Sequence, residues 1–180
     1  MAYIRDIKTF GGNGTSVTPP SGLDYAEDDL LLFVCFKDVN LGAWSTPAGY
    51  TSQENTLASS IATALFTKVA TASESAPTST STDAARDLGC YWISVADVDG
   101  TTPVNDTNTA SVSTSAQATA AITTTANDCL VMHFQFNDTG GVGRNCAPPH
   151  ELMLLPLIYS KQSRLDFSRK LRRCNFSDIR

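Results

Sequence analysis

The stretch Leu88–Val104, LGCYWISVADVDGTTPV, decides the fold of this chain. Its first half, Leu88–Val98, is rich in aromatic and β-branched residues, which favour a pleated, packed strand. Alternate positions place large side chains on two faces: Cys90 and Trp92 on one, and Tyr91, Ile93 and Val95 on the other. A strand that is apolar on both faces is typical of the interior of a sheet. Asp99-Gly100 is a strong turn dipeptide and Pro103 cannot donate to a ladder, so the strand is predicted to end there.

Other apolar runs are predicted to be partners of this central strand. Leu30–Phe36 is apolar on both faces and indicates a second interior strand. Ser59–Ala70 alternates large and small residues with a period of two, which favours a strand over a helix. Cys129–Phe136 is predicted to be a strand that turns Leu130, Met132, Phe134 and Phe136 towards the core.

Weaker signals complete the predicted element order. We expect a first strand at Ala2–Phe10, ended by the glycine-rich segment Gly11–Gly14, and a short edge strand at Thr51–Asn55. Glu151–Tyr159 is predicted to be a last strand that Pro156 breaks. The remaining predicted segments are a turn at Trp44–Tyr50 and loops at Thr15–Gly22, Thr71–Asp87 and Asn105–Thr119.

Composition indicates a single all-β domain. The chain has 180 residues, which suits one domain with a sizeable core. Charged residues make up 17% of it, below the usual quarter, while Thr, Ser and Ala are abundant. Long surface helices draw on Glu, Lys and Leu, so this balance favours short strands joined by polar turns.

The charge is distributed unevenly along the chain. The formal net charge is −5, yet residues 161–180 hold seven basic and two acidic residues, so residues 1–160 carry −10. An acidic body argues against nucleic acid as its main partner, because phosphate binding needs basic surface. The basic segment has three interpretations: a solvated charge run, a contact to nucleic acid, or an assembly arm lying across an acidic neighbour.

We favour an assembly arm, because apolar residues are interleaved with the basic ones and a purely electrostatic segment does not need them. Residues 161–180 are called the assembly arm below. The residues predicted to carry its contacts are Arg164, Leu165, Phe167, Arg169, Lys170, Arg172, Arg173 and Phe176.

No pattern in the sequence indicates catalysis, a cofactor or a metal, and we expect none of the three. Cys129-x3-His133 and Cys146-x3-His150 come closest to a zinc site, but strand positions i and i+4 lie about 13 Å apart. Asp97-x-Asp99-Gly100 matches the start of a calcium loop and lacks its later ligands, so it indicates a strand-ending turn. Carboxylate-pair chemistry on glycans stays open, since any two acids can meet in space.

The cysteines and the N-terminus bear on the cellular compartment. The five cysteines form an odd set without tight repeated spacing, whereas a disulfide framework normally shows an even count. The first ten residues lack a basic segment followed by an apolar one, as a signal peptide requires. No apolar run approaches the length of a membrane span. We therefore expect synthesis in a reducing cytoplasm and no membrane contact.

Five motifs follow one another in order along residues 23–136. They are Asp29–Val34 (DLLLFV), Thr46–Tyr50 (TPAGY), Ala64–Glu74 (ALFTKVATASE), Trp92–Pro103 and Asn127–Val131. This order resembles β-sandwich proteins of tailed-bacteriophage virions, in which a TPxGW turn, a KxAxxxEP segment and an IxGVDxTTP strand end often occur. Here Tyr50 stands for the tryptophan, Ser75 for the proline, and Val95-Ala96-Asp97 departs from the third motif. The motifs are structural turns, so no catalytic site is transferred.

The resemblance implies an architecture and a role. The implied fold is an antiparallel, jelly-roll-like β-sandwich in residues 1–160, with its core at 23–136 and a connector at 137–150, followed by the assembly arm. The implied role is a non-enzymatic virion protein made in the host cytoplasm. We expect a head decoration, cement or minor capsid protein that binds the major capsid protein and neighbouring copies, as a homo-oligomer such as a trimer. The alternative is a tail-fibre or receptor-binding module that recognises host surface glycan. In that alternative Trp44 and Tyr50 would stack on sugar rings, although we favour packing of these aromatics inside their turn.

Overall fold

The computed structural model describes residues 2–38, 42–58, 61–83, 85–108, 123, 130–134 and 152–155. This part of the chain forms strands and connecting turns and contains no helix, which confirms the prediction of an all-β fold for it. The strands are β1 (Tyr3–Gly14), β2 (Ser16–Val17), β3 (Leu30–Asp38), β4 (Thr51–Ala58), β5 (Ile61–Val69), β6 (Ser79–Thr80), β7 (Arg86–Ala96), β8 (Val131–Phe134) and β9 (Leu152–Leu155).

Five strands form one antiparallel sheet in the order β1-β7-β3-β5-β4. The central stretch of the sequence, now β7, pairs with β1 on one side and with β3 on the other. β3 also pairs with β5, so both strands predicted to be interior are interior. β4 lies at the edge of this sheet, as predicted for Thr51–Asn55.

Alternation along the interior strands buries both faces of the sheet. The first face carries Cys90 and Trp92 of β7 beside Leu31, Phe33 and Cys35 of β3. The second face carries Tyr91, Ile93 and Val95 of β7 beside Leu30, Leu32 and Val34 of β3. This is the division that the period-two pattern predicts. Each fully buried side chain of this size contributes about 1.5–3 kcal/mol, so the two interior strands dominate the core.

Different segments cover the two faces. Loop residues and the β2–β6 pair cover the first face, with Val17 and Leu23 buried in its cluster. Leu130, Met132 and Phe134 pack against the second face, and the Phe134 ring lies 6.1 Å from that of Tyr91. The predicted inward orientation of these three residues is therefore confirmed. β8 pairs with β9, which ends at Leu155, directly before Pro156.

β1 is longer than predicted, because it continues through the glycine-rich segment that we expected to end it. Its pairing with β7 runs to Gly14, opposite Arg86. Gly11 lies opposite Gly89, and a Cβ added to Gly89 would overlap the Phe36 ring. The glycines here permit close approach within the sheet and make no turn.

The two predicted loops Thr15–Gly22 and Thr71–Asp87 also contain strands. Ser16 pairs with Thr80, and Val17 pairs with Ser79, forming the short β2–β6 ribbon. Val17 and Ser79 are fully buried, so packing on the first face orders a segment whose Ser/Thr-rich composition indicated a loop. Local composition was overridden by a tertiary contact.

Candidate functional site

The turn Thr46–Tyr50, one of the resembling motifs, presents the Tyr50 ring to the first face. The Tyr50 amide donates to the Pro47 carbonyl over 3.1 Å, which closes the turn. Gly49 has a φ of 79°, a left-handed conformation that glycine adopts without steric cost. The Lys68 side chain lies against Gly49, 3.5 Å from the position that a Cβ would occupy.

Lys68 and Glu74, from a second resembling motif, form an ion pair beside this turn. Lys68 Nζ donates to Glu74 Oε2 over 2.5 Å, and the Glu74 side chain is only 3% exposed. The amide and hydroxyl of Thr71 both donate to Glu74 Oε1 over 2.8 Å. The Glu74 amide in turn donates to the Tyr25 hydroxyl over 2.5 Å. The Glu74 carboxylate thereby links the loop that follows β5 to Lys68 on β5.

Tyr50 links this ion pair to the core of the sheet. Its hydroxyl accepts a hydrogen bond from the Trp92 indole nitrogen over 3.0 Å. Its ring meets Phe33 edge-on at 6.3 Å, and Lys68 Nζ lies 6.0 Å from the ring centroid, within cation–π range. The five residues Tyr25, Tyr50, Lys68, Glu74 and Trp92 are called the clasp below.

The protonation states of Glu74 and Tyr50 suit a structural role for the clasp. Burial opposes ionisation of Glu74, but the hydrogen bonds from Lys68 and Thr71 outweigh it and lower the pKa of the carboxyl below its usual value. Burial raises the pKa of the Tyr50 phenol above its usual range. Near neutral pH the carboxylate is therefore ionised and the phenol neutral, and both hold fixed hydrogen bonds without exchanging protons. The arrangement therefore fixes loops on the first face.

The clasp makes stability depend on pH in a predictable direction. We expect Glu74→Gln to reduce the free energy of unfolding by about 1–2 kcal/mol at pH 7, since it removes a charge-assisted hydrogen bond from a partly exposed lysine. Because folding lowers the pKa of Glu74, its contribution is present above the ordinary value of 4.5 and is lost as the pH falls through the lower value in the folded chain. Urea unfolding from pH 7 to pH 3 should show the two proteins converging on acidification.

The exposed carboxylate Glu27 supplies the control for this prediction. Glu27→Gln should change the free energy of unfolding by no more than about 0.5 kcal/mol at pH 7. A Glu74→Gln deficit that stays constant from pH 7 to pH 3 would contradict the assigned role of the carboxylate.

Sequence reasoning located Tyr50, Lys68, Glu74 and Trp92 in motifs, but it missed Tyr25 and the pairing of all five residues. Lys68 and Glu74 are six residues apart, a spacing that indicates no contact in a strand. The available signal was Thr71-x-x-Glu74, which has the spacing of a capping box. Here the same spacing stabilises a turn outside any helix.

Trp44, which the glycan-binding alternative requires to be exposed, is buried. Its side chain is 2% exposed, and its indole nitrogen donates to the Ala62 carbonyl over 3.2 Å. Asn55 bonds the Trp44 backbone on both sides, accepting from its amide and donating to its carbonyl. The indole therefore has no face open to a ligand, and we withdraw Trp44 as a glycan contact. Tyr50 is half-buried, with its hydroxyl bonded inside the clasp.

A second polar cluster lies at the end of the sheet near Asp29. Arg5, at the β1 register shift, donates to both carboxylate oxygens of Asp29, over 2.7 and 3.2 Å. The Ala26 amide donates to the same carboxylate over 2.9 Å. Burial opposes ionisation of Asp29, but these hydrogen bonds lower its pKa. A pocket of about 280 Å³ opens here, lined by Arg5, Ala26, Glu27, Asp28, Asp29, Asp97 and Val98.

The Asp97-x-Asp99-Gly100 motif forms the turn that the sequence predicts. Asp99 accepts hydrogen bonds from the Thr101 amide at 2.8 Å and the Thr102 hydroxyl at 3.4 Å, which lower its pKa. Asp97 has a φ of 56° and faces the pocket instead. Within the described ranges, no three His, Cys, Asp or Glu side chains are grouped as metal ligands would be.

Several predicted features lie outside the described residues. These are the assembly arm with all its contact residues, the connector at 137–150, Cys129, Phe136, Cys146 and His150. The described part of the chain has no helix with the length and apolar character of a membrane span.

Comparison of the chain with protein-family models, with curated proteins and with solved structures finds no match.

Proposed function

We propose that this chain is a non-enzymatic structural protein of a tailed-bacteriophage virion, a head decoration, cement or minor capsid protein. It binds the capsid lattice through loops and strand edges and binds neighbouring copies through the assembly arm. The role rests on the resemblance of its motif order, on the all-β sheet, and on the chemistry of the clasp.

The observation that carries the proposal is the convergence of the resembling motifs in the clasp. Thr46–Tyr50, Lys68–Glu74 and Trp92 are well separated in sequence, yet they bond one another on the first face. Their polar groups are satisfied within the chain, as expected for motifs that shape a scaffold. This supports a resemblance of architecture, and virion shells are built from such scaffolds.

We further propose that the fold is a jelly-roll-like antiparallel sandwich. In this arrangement β8 and β9 belong to a second sheet that packs on the second face of the five-stranded sheet. The contacts of Leu130, Met132 and Phe134 with that face support it. A small sandwich presents strand edges and end loops on which a lattice can dock.

The location of the protein in purified particles tests the proposal directly. Particles are separated into head and tail fractions, and each fraction is analysed by quantitative mass spectrometry. Many copies in the head fraction support a decoration or cement protein. A few copies confined to tails would replace it with the fibre module, and absence from both fractions would overturn the virion role.

The assembly arm supplies a separate prediction. We expect deletion of residues 161–180 to weaken self-association or capsid binding at least tenfold, about 1.4 kcal/mol, while the sheet stays folded. The attraction between a +5 arm and a −10 body is screened by salt, so binding by the full chain should weaken between about 0.05 and 0.5 M salt, where screening becomes strong. Sedimentation measures association, and near-ultraviolet circular dichroism of the tryptophans reports folding.

Two matched variants separate charge from packing in the arm. Replacing Arg169, Lys170, Arg172 and Arg173 with glutamine should remove the salt dependence. Replacing Leu165, Phe167 and Phe176 with serine should weaken association at all salt concentrations. If the truncated chain assembles as well as the full chain at both salt concentrations, the arm plays no part in assembly.

A further inference from the structure

Two free cysteines face each other across the middle of the sheet. Cys35 of β3 and Cys90 of β7 are direct Cα partners in the antiparallel ladder, and both side chains lie on the first face. They are 0% and 1% exposed and unbonded to each other. Phe10 lies on the far side of Cys90 and Ala64 on the far side of Cys35, so paired strands enclose both thiols.

The ladder geometry brings the two thiols within range of a disulfide. Directly opposed residues in an antiparallel pair have Cα atoms about 4.5–5.5 Å apart, inside the range of about 4.4–6.8 Å found for disulfides. Their Cβ atoms lie about 4.5–5.5 Å apart, against about 3.5–4.5 Å in a disulfide, so the strands must approach by about 1 Å.

Burial makes both thiols poorly reactive and inaccessible to large reagents. It raises the pKa of Cys90 to about 12 and the pKa of Cys35 well above its usual range, the latter with the neighbouring Cys90 adding to the effect. The thiolate is the nucleophile towards disulfides and peroxides alike, so oxidation of the folded chain is slow with either class of oxidant. A small neutral oxidant can enter where a peptide-sized disulfide cannot.

We propose that Cys35 and Cys90 are a latent cross-strand disulfide, which a peroxide-class oxidant closes to join β3 to β7. One sulfur attacks a peroxide oxygen, giving a sulfenic acid and one water. The second sulfur displaces the hydroxyl group, forming the S–S bond and a second water. Two thiols lose two electrons and two protons in total, and hydrogen peroxide is reduced to two molecules of water.

This device does not depend on the proposed virion role. In a reducing cytoplasm the pair stays as two thiols, and in an oxidising environment it closes. The disulfide links strands that are distant in sequence, which restricts the unfolded chain and so raises the thermal midpoint. Closure in an oxidising environment therefore stabilises the folded sheet.

The test uses the full-length chain with Cys129, Cys146 and Cys174 replaced by serine, so that only the central pair can react. Folded protein is exposed to hydrogen peroxide at pH 8 and analysed by intact mass, by peptide mapping without reductant, and by thermal unfolding. We expect the loss of two hydrogens, a peptide pair linked through Cys35 and Cys90, and a higher thermal midpoint. Dithiothreitol should reverse all three changes.

Single replacements provide the controls. Adding Cys35→Ser or Cys90→Ala to the same background should abolish both the linked peptides and the rise in thermal midpoint. Gain of oxygen atoms in place of the loss of two hydrogens would overturn the proposal. So would retention of both thiols in the folded protein under peroxide that oxidises the urea-unfolded chain. If the triple-serine background does not fold, peptide mapping of the unaltered chain distinguishes the same outcomes.

Discussion

Replacing Trp92 with alanine is expected to destabilise the folded chain by about 3–5 kcal/mol. Trp92 is 1% exposed and is the largest of the fully buried side chains among the described residues. It lies opposite Phe33 on β3 and opposite Lys8 on β1. Removal of its side chain therefore leaves a cavity in the core on the first face. Total stability of a domain is about 5–15 kcal/mol, so this one change removes a large part of it. Urea unfolding at pH 7 measures the loss, with Trp44 as the remaining fluorophore.

The hydrogen bond to Tyr50 can be separated from the packing of Trp92. Trp92→Phe keeps most of the ring volume and removes the indole donor, and Tyr50→Phe removes the acceptor. The double variant should cost about 0.5–1.5 kcal/mol less than the sum of the single variants, because one hydrogen bond is lost only once. Strict additivity would show that the clasp and the sheet are energetically independent.

Tyr3 gives a matched control on the same sheet. Its side chain is 47% exposed, and the Arg5 guanidinium lies over its ring, 5.9 Å from the centroid. Tyr3→Ala should cost no more than about 1 kcal/mol. A Trp92→Ala variant that is no less stable than Tyr3→Ala would contradict the assignment of β7 to the centre of the core.

Sequence reasoning was most successful where one interaction dominates. The faces of β7 and β3 follow from a period of two, because hydrophobic burial depends only on which side of the strand each residue occupies. For Leu130, Met132 and Phe134 the same rule predicted a common inward face. These predictions needed no knowledge of the partner strand.

Predictions were wrong where a distant residue decides the local structure. The segment Gly11–Gly14 has the composition of a turn, yet it continues β1 because β7 pairs with it to the end. For Trp44 the sequence left sugar stacking open beside packing in its turn, and contacts with Ala62 and Asn55 decide for packing. The clasp likewise requires side chains from four separate segments to meet through the fold. Of these contacts, local spacing indicates only the one between Thr71 and Glu74.

Replacing Gly89 with alanine is expected to cost about 3 kcal/mol, a large effect for a single added methyl group. The new Cβ would overlap Cζ of Phe36 and would lie 2.9 Å from the Phe10 carbonyl oxygen. The Phe36 ring already packs 6.0 Å from the Tyr91 ring on the second face, which limits its movement. Removing the steric overlap therefore requires a shift of β1 relative to β7. Urea unfolding at pH 7 measures the cost.

Two further variants test whether steric overlap is the cause. Gly100→Ala adds the same methyl group where no atom lies within 4 Å, and it should change the free energy of unfolding by no more than about 0.5 kcal/mol. Combining Gly89→Ala with Phe36→Leu removes the ring overlap but leaves the overlap with the Phe10 backbone, so stability should recover only in part. Equal urea midpoints for Gly89→Ala and Gly100→Ala would contradict the close approach of β1 and β7. A partial recovery would instead show that the close approach of β1 and β7 requires glycine at position 89. This requirement explains why Gly11–Gly14, which has the composition of a turn, continues as part of β1.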